Sequence, residues 1–364
     1  MAEGVTLHEP EKCEEGYTLF CEAYEDPTNA PDGTGKIHLV DMAGESVHEW
    51  QVETAVQSYA ELEPDGTLVY PTRDRSTIAE AGIRKLTPES EVVWSYHCRA
   101  DHDFERLEDG NLLIHTVVDG LAPEIGPELK RNPYILEVTP EKEVVWEWHG
   151  ENHYGDLKAQ LSDEEWEYVR NRIDEEYPFD WAHNNTCQVI PPNETHEREQ
   201  AGEREGEDPR FAPGNLTVSY RSLDVIGVIE RGSGEIVWAW GPDELDGQHN
   251  PHVLANGNVL LFDNGTRRGY SRVIELDPLT EEIVWEYTAT PKESFFSPYI
   301  SGAQRLPNGN TLVCEGMEAH LFEVTPDGEV VWDFVNPFAD EGSVGFVYQC
   351  RRYAPEYVEP LLEP

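Results

Sequence analysis

Five residues from four short stretches have the chemistry to hold and attack a small anion. His102 opens HDFERLEDG, His183 and Asn185 lie in DWAHNNT, Arg221 ends LTVSYR, and His249 sits in GQHNPHVLANGN. An imidazole titrating near about 6.5 can act as nucleophile, acid or base at neutral pH. Guanidinium and amide N–H groups are the donors that stabilise developing negative charge. Asp+Glu number 73 against 26 Lys+Arg, a formal net charge of −47, so an arginine beside histidines is conspicuous. Arg73 occupies the position matching Arg221 but has no histidine neighbour in its repeat, and is read as a salt-bridge residue. No P-loop, GxGxxG, GxSxG, HExxH or EF-hand pattern occurs, and no cluster of acidic metal ligands; neither a metal nor a cofactor is expected.

Residues so far apart meet only if a repeat brings them together. Six segments end in Trp after a tight turn, at Trp50, Trp94, Trp146, Trp238, Trp285 and Trp332. Each reads as a hairpin. Most are preceded by a second hairpin with a glycine turn, such as HNPHVLANGNVLLFD (249–263). Two hairpins make a four-stranded antiparallel unit. The spacing of 44 residues from Trp50 to Trp94, and of 47 from Trp238 to Trp285 and from Trp285 to Trp332, suits a propeller blade. The fold class is therefore all-β: a single six-bladed β-propeller of four-stranded blades over 1–364. The C-terminal strand VYQCRRYAPEY completes the first blade. The 92 residues from Trp146 to Trp238 hold insertions rather than a further blade. These are one at about 150–180, helical around 160–175 with a Ser-x-x-Glu capping box at SDEEWEYVRNRI, and a mobile charged loop (193–213). The repeated Trp residues are read as packing between blades.

Aligned on Leu62, Leu107, Ile190, Leu254, Leu306 and Tyr353, the first strands place Ser58, His102, Asn185, His249, Ser301 and Tyr348 at one position, four to five residues earlier. Strand alternation puts His183 on the side of Asn185 and turns His252 away from His249, so HNPH is not a metal pair. His8, His38, His48, His97, His115, His149, His153, His196 and His320 are read as surface or packing residues.

A charge of −47 is suited to high salt, since about 1 M salt shortens the Debye length to about 3 Å. A halophilic protein is expected, one that loses its fold or solubility at low ionic strength. The charge argues against nucleic acid or anionic membranes as partners. The six scattered cysteines read as free thiols. With no apolar leader and no membrane-length stretch, a cytoplasmic location is expected. The sequence leaves the oligomeric state open.

From about Gly16 to Tyr357, the blade repeat and the stretches HDFERLEDGNLL, DWAHNNT with LTVSYR, and GQHNPHVLANGNVLLFDNG together resemble the bacterial-type aryl sulfotransferases. That resemblance implies a six-bladed catalytic propeller. It implies movement of a sulfuryl group from a phenolic sulfate ester to a phenol, through a sulfohistidine and without a nucleotide donor such as PAPS. Ping-pong kinetics follow. His249 would be the residue sulfated, His183 or His102 the acid–base, and Asn185 and Arg221 substrate-binding. Better-known members are exported and carry an extra N-terminal β-sandwich and a disulfide, none of which this sequence suggests. Two other readings stand beside it: a non-catalytic binding or scaffold propeller, and a quinoprotein-like oxidoreductase suggested by DPLTEEIVW.

Overall fold

The computed structural model describes residues 3–23, 35–72, 81–202, 210–339 and 345–362. Six antiparallel sheets, four of whose strands recur in each, form a six-bladed β-propeller. Its strands divide between two compact units, residues 1–100 with 299–364, and residues 101–298.

The first unit holds blades one, two and six. Blade one is Phe346–Tyr353, Tyr17–Ala23, Gly35–Val40 and Ser46–Val52. The late strand lies against the early one as expected, with Tyr17 opposite Tyr353 and Thr18 opposite Arg352. Buried Arg352 fastens this junction: Nε donates to Thr18 Oγ1 at 2.8 Å and Nη1 to Glu14 O at 2.7 Å. Blade two is Glu61–Leu62, Leu68–Thr72, Gly82–Leu86 and Val92–His97. Blade six is Gly302–Arg305, Thr311–Glu315, His320–Val324 and Val330–Val335. A fifth strand, Gly4–His8, is added on the outside of blade six, which no periodic signal announced.

The second unit holds blades three to five. Blade three is Ala100–Arg106, Leu112–Ala122, Gly126–Val138 and Val144–His149. Blade four is Asn184–Val189, Leu216–Tyr220, Val225–Ile229 and Ile236–Trp240; blade five is His249–Val253, Val259–Asp263, Arg272–Asp277 and Glu282–Tyr287. Middle strands such as Val225–Ile229 are buried at every residue, as strands covered on both faces must be. The outer strand Glu282–Tyr287 alternates.

Of the repeated tryptophans, Trp50, Trp238 and Trp332 are fully buried, whereas Trp94, Trp146 and Trp285 are only half-buried. Two of them also staple neighbouring blades by their indole N–H. Trp146 donates to Arg231 O at 3.2 Å and Trp332 to Met42 O at 3.0 Å, each a carbonyl in the next blade's turn.

The helix expected in the insertion spans Asp163–Asn171, with Ser162 as N-cap and the capping box closed by Glu165. The charged segment expected to be a mobile loop is in part a helix, Glu194–Gln200, capped by Asn193. Tertiary contact overrides its polar composition. Thr195 Oγ1 donates to Gly257 O at 2.9 Å, and a Cβ on Gly257 would meet Thr195 N at 2.2 Å, so the helix packs where the hairpin has no side chain. Residues 203–209 of that segment lie outside the described ones, as does Arg73. All six cysteines are free thiols. Among the described residues no helix is long and apolar enough to cross a membrane.

Candidate active site

His102, His183, Asn185, Arg221 and His249 all belong to blades three to five or their connecting turns. The first strands of these blades are zipped together by side chains. Asp103 accepts the Cys187 N–H at 2.7 Å and the Gln188 amide at 3.1 Å. Glu105 accepts the Val189 N–H. Asn185 Nδ2 donates to Gln248 O at 2.9 Å, which ties blade four to the residue before His249. These bonds carry the three histidines to one place.

The register is five residues in blades two to six. Leu107, Ile190, Leu254 and Leu306 each close the following turn by donating their N–H to the residue four further on, or to Asn215 in blade four. In blade two the residue that does so is Glu63, not Leu62. The ambiguity of one residue vanishes, with Ser58 five before Glu63.

Alternation, by contrast, does not orient the site. The ladder slips between Asn184 and Cys187 in blade four and between His249 and His252 in blade five, one extra residue on the first strand each time. Such bulges re-aim side chains. The sequence argument that alternation turns His252 away from His249 therefore does not hold. Cα pairing places His249 and His252 opposite Phe262 and Leu260, which share a face. His252 Nδ1 contacts Asn250 O at 3.0 Å. Nor does alternation bring His183 in. His183 lies just before the strand in a left-handed conformation (φ 43°), and His102 is left-handed too (φ 65°). A non-glycine residue at positive φ is held there by its surroundings, and such strain gathers at functional sites.

The rings of His102 and His183 meet edge to face, centroids 4.8 Å apart. Each has a carboxylate on Nδ1: Asp101 Oδ2 lies 2.8 Å from His102, and Asp180 Oδ2 lies 2.6 Å from His183. Burial pushes the Asp101 carboxyl up, but the imidazoles of His102, His115 and His183 bring it well below the usual range. Asp180 is lowered as well, against burial, chiefly by His183. Desolvation lowers His183 despite Asp180, with His102 and Arg221 adding to the effect.

His249 differs from both. The residue is 2% exposed, whereas the side chains of His102 and His183 are 14% and 29% exposed. Its Nδ1 contacts an amide, Asn264 Oδ1, at 2.7 Å. Burial and the neighbouring Arg221 hold it well below 6.5. His102 and His183 push it the same way, so the cluster is close enough to act on one charge.

Arg221 reaches the cluster through local structure. Strand Leu216–Tyr220 ends in a 3-10 turn, Arg221–Leu223, whose first N–H donates to His183 O at 3.3 Å. The next residue, left-handed Asp224, is a hub. It accepts from Tyr168 at 2.6 Å and Arg267 at 2.8 Å, pairs with Arg172 at 3.1 Å, and accepts the Gly247 N–H at 2.8 Å. The insertion helix thus buttresses the turn that carries Arg221. Arg221 Nη2 touches Pro298 O at 3.5 Å, while its buried Nε has no hydrogen-bond partner among the described residues.

Asp101, Asp180 and Asn264 escaped the sequence reading, although Asp101 and Asp180 stand one and three residues before the histidines they serve. His115, read as a surface or packing residue, is buried, with Nδ1 2.6 Å from Asp101 O. The ligand-capable atoms of Asp101, His102 and His115 lie within 4.8 Å of one another, a spacing that suits a metal ion. His102 and the Asp101 main chain already engage that cluster, and a cation there would compete with them.

The family described as Arylsulfotransferase (ASST) matches residues 65–337. The chain belongs to that family. The match spans all five site residues. A crystal structure of a protein of unknown function from Bacteroides caccae is similar in fold, with a TM-score of 0.55 at 15% identity, covering 93% of this chain and 99% of that one. A Lactobacillus plantarum protein gives 0.46 at 9% identity over 93% and 100% of the two chains. Apo AztD from Citrobacter koseri gives 0.43 at 9% over 93% and 98%. No curated protein matches the sequence.

Proposed function

We propose that this member of the arylsulfotransferase family moves a sulfuryl group from a phenolic sulfate ester to a phenol through a sulfohistidine at His249, with no nucleotide donor. The observation that carries the reading is a buried imidazole held uncharged beside an arginine whose Nε is unpartnered. An uncharged ring is a nucleophile, and the guanidinium supplies donors for a sulfuryl group.

In the first half-reaction an imidazole nitrogen of His249 attacks sulfur. An N–S bond forms, the S–O bond to the ring breaks, and its electron pair leaves on the phenolate. A protonated His183 or His102 gives that oxygen a proton; the facing aspartates stabilise the imidazolium each must form. In the second, the same base takes the proton of the incoming phenol, whose oxygen attacks sulfur, and the N–S pair returns to His249. Arg221 stabilises the sulfuryl oxygens in both steps. Asn185 holds the His249 strand through Gln248 O and has a second amide N–H for substrate. The greater exposure of His102 and His183 suits residues that exchange protons with solvent.

The test is intact mass after incubation with a nitrophenyl sulfate at about 1 M salt, the condition that the charge of −47 favours. Wild type should gain one sulfuryl group, lose it to added phenol, and give parallel double-reciprocal lines. His249→Ala should show neither mass gain nor turnover while keeping its thermal transition. Normal turnover by that variant, or nitrophenol release with intersecting lines and no adduct, would remove the covalent route.

A further inference from the structure

We propose that Asn264 is a positioning residue: it holds His249 in the Nδ1–H tautomer, leaving the ring's lone pair on Nε2, and does so without bringing a charge. The kinetic part of this inference rests on the sulfohistidine reading; the tautomer does not.

Asn264 follows strand Val259–Asp263 and is fully buried. Its two amide ends are distinguished by what they face. Nδ2 lies 2.7 Å from Ser297 O, and a main-chain carbonyl only accepts, so the NH2 end must be there. That turns Oδ1 to His249 Nδ1 at 2.7 Å. An amide oxygen also only accepts, so Nδ1 must carry the hydrogen. A second pair of bonds ties the two main-chain segments together. Ser271 Oγ donates to Asn264 O at 2.7 Å and accepts the Ser297 N–H at 2.9 Å, fixing the main chain on both sides.

The three rings of the site thereby divide. His102 and His183 have carboxylates on Nδ1, partners that accept a ring N–H, although burial, His102 and Arg221 hold His183 below 6.5. His249 faces a neutral amide; that hydrogen bond favours a proton, but burial, Arg221, His102 and His183 push the other way and prevail. A carboxylate at position 264 would work against this and place oxygen against Ser297 O. The amide supplies the tautomer while withholding the charge.

The experiment is 15N NMR of the full chain, labelled at the histidine ring nitrogens, at high salt and pH 7. His249 is assigned by its disappearance in His249→Gln. Its Nδ1 should show the shift of a protonated nitrogen and its Nε2 that of an unprotonated one. In Asn264→Ala the two shifts should move towards each other as the tautomers mix. The burst of nitrophenol from nitrophenyl sulfate should slow about 10- to 100-fold, the usual cost of removing an orienting partner, with KM little changed. A wild-type ring protonated on Nε2, or on both nitrogens, overturns the proposal even if the variant does not fold. So does an Asn264→Ala protein that keeps both the wild-type tautomer and the burst rate. If wild type gives no burst, the transferase reading falls and the spectra still decide the role of Asn264.

Discussion

In blade four, strand Leu216–Tyr220 runs into the 3-10 turn Arg221–Leu223 and left-handed Asp224; in blade six, Thr311–Glu315 runs into Gly316–Glu318 and left-handed Ala319. The two turns are equivalent in the repeat, each seven residues after its hairpin glycine, yet they are put to opposite uses. Blade four places a guanidinium at the first turn residue. Blade six has no room for a side chain there, since a Cβ on Gly316 would lie 2.3 Å from Val347 O. The histidines nearby differ in the same way. His249, beside Arg221, is kept uncharged. His320, just after the blade-six turn, has Glu315 at 2.8 Å on Nδ1 and Asp333 at 2.9 Å on Nε2; burial pulls it down, but the two carboxylates hold it up at about 9. Both rings are largely buried, so burial alone does not set the charge of a histidine. The partners supplied by the same backbone do.

The sharpest way to break this comparison is Arg221→Ala. Transfer from a nitrophenyl sulfate should fall about 10²- to 10³-fold, the usual loss of one such donor, with little change in Tm. Arg221→Lys should recover little of it, because a point charge does not reproduce a planar fork. If Arg221→Ala kept its rate and lost stability instead, the two turns would be alike in serving structure.

The blade-six side makes a prediction about stability. A histidine raised from about 6.5 unfolded to about 9 folded contributes stability that is whole below about pH 6.5 and is lost as pH rises through about 9. The contribution is on the order of 3 kcal/mol. Denaturant melts should show that decline, and His320→Gln should flatten it while lowering stability at pH 7. His249 has the opposite sign: its depressed folded value makes stability fall as pH drops below about 6.5. A melt series without an alkaline decline would refute the charged clamp.

The smallest effect is expected at the buttress. Tyr168→Phe removes one hydrogen bond to Asp224 and should cost about 1 kcal/mol, with a loss of turnover of a few-fold at most. A large loss of activity without loss of stability would make the insertion part of the catalytic machinery.

The blades were legible in the sequence because each repeats a turn glycine and a Trp-ended strand. The convergence of His102, Asn185 and His249 was legible because they hold one position in that repeat. The Ser162–Glu165 box marked its helix. What sequence could not show depends on distance or on backbone shape. The bulges at 184–187 and 249–252 and the left-handed His102 and His183 defeat strand parity, which assumes a regular pleat. Asp101 and Asp180 are two of 73 acidic residues, and only the fold selects them. Asn264 lies fifteen residues from its histidine, across a hairpin. The strand Gly4–His8 has too few residues for a period and is recruited by the edge it covers.

Thr18 and Arg352, joined in blade one, are 334 positions apart. A ribosome therefore makes three strands of blade one before the four-stranded repeats of blades two to six and supplies the fourth after them. Until residue 353 emerges, Tyr17–Ala23 presents a bare edge with no neighbour on one side. Blade one waits for a strand that the chain reaches only after blades two to six, so a chain that stalls before residue 346 or loses Phe346–Tyr353 leaves that blade open.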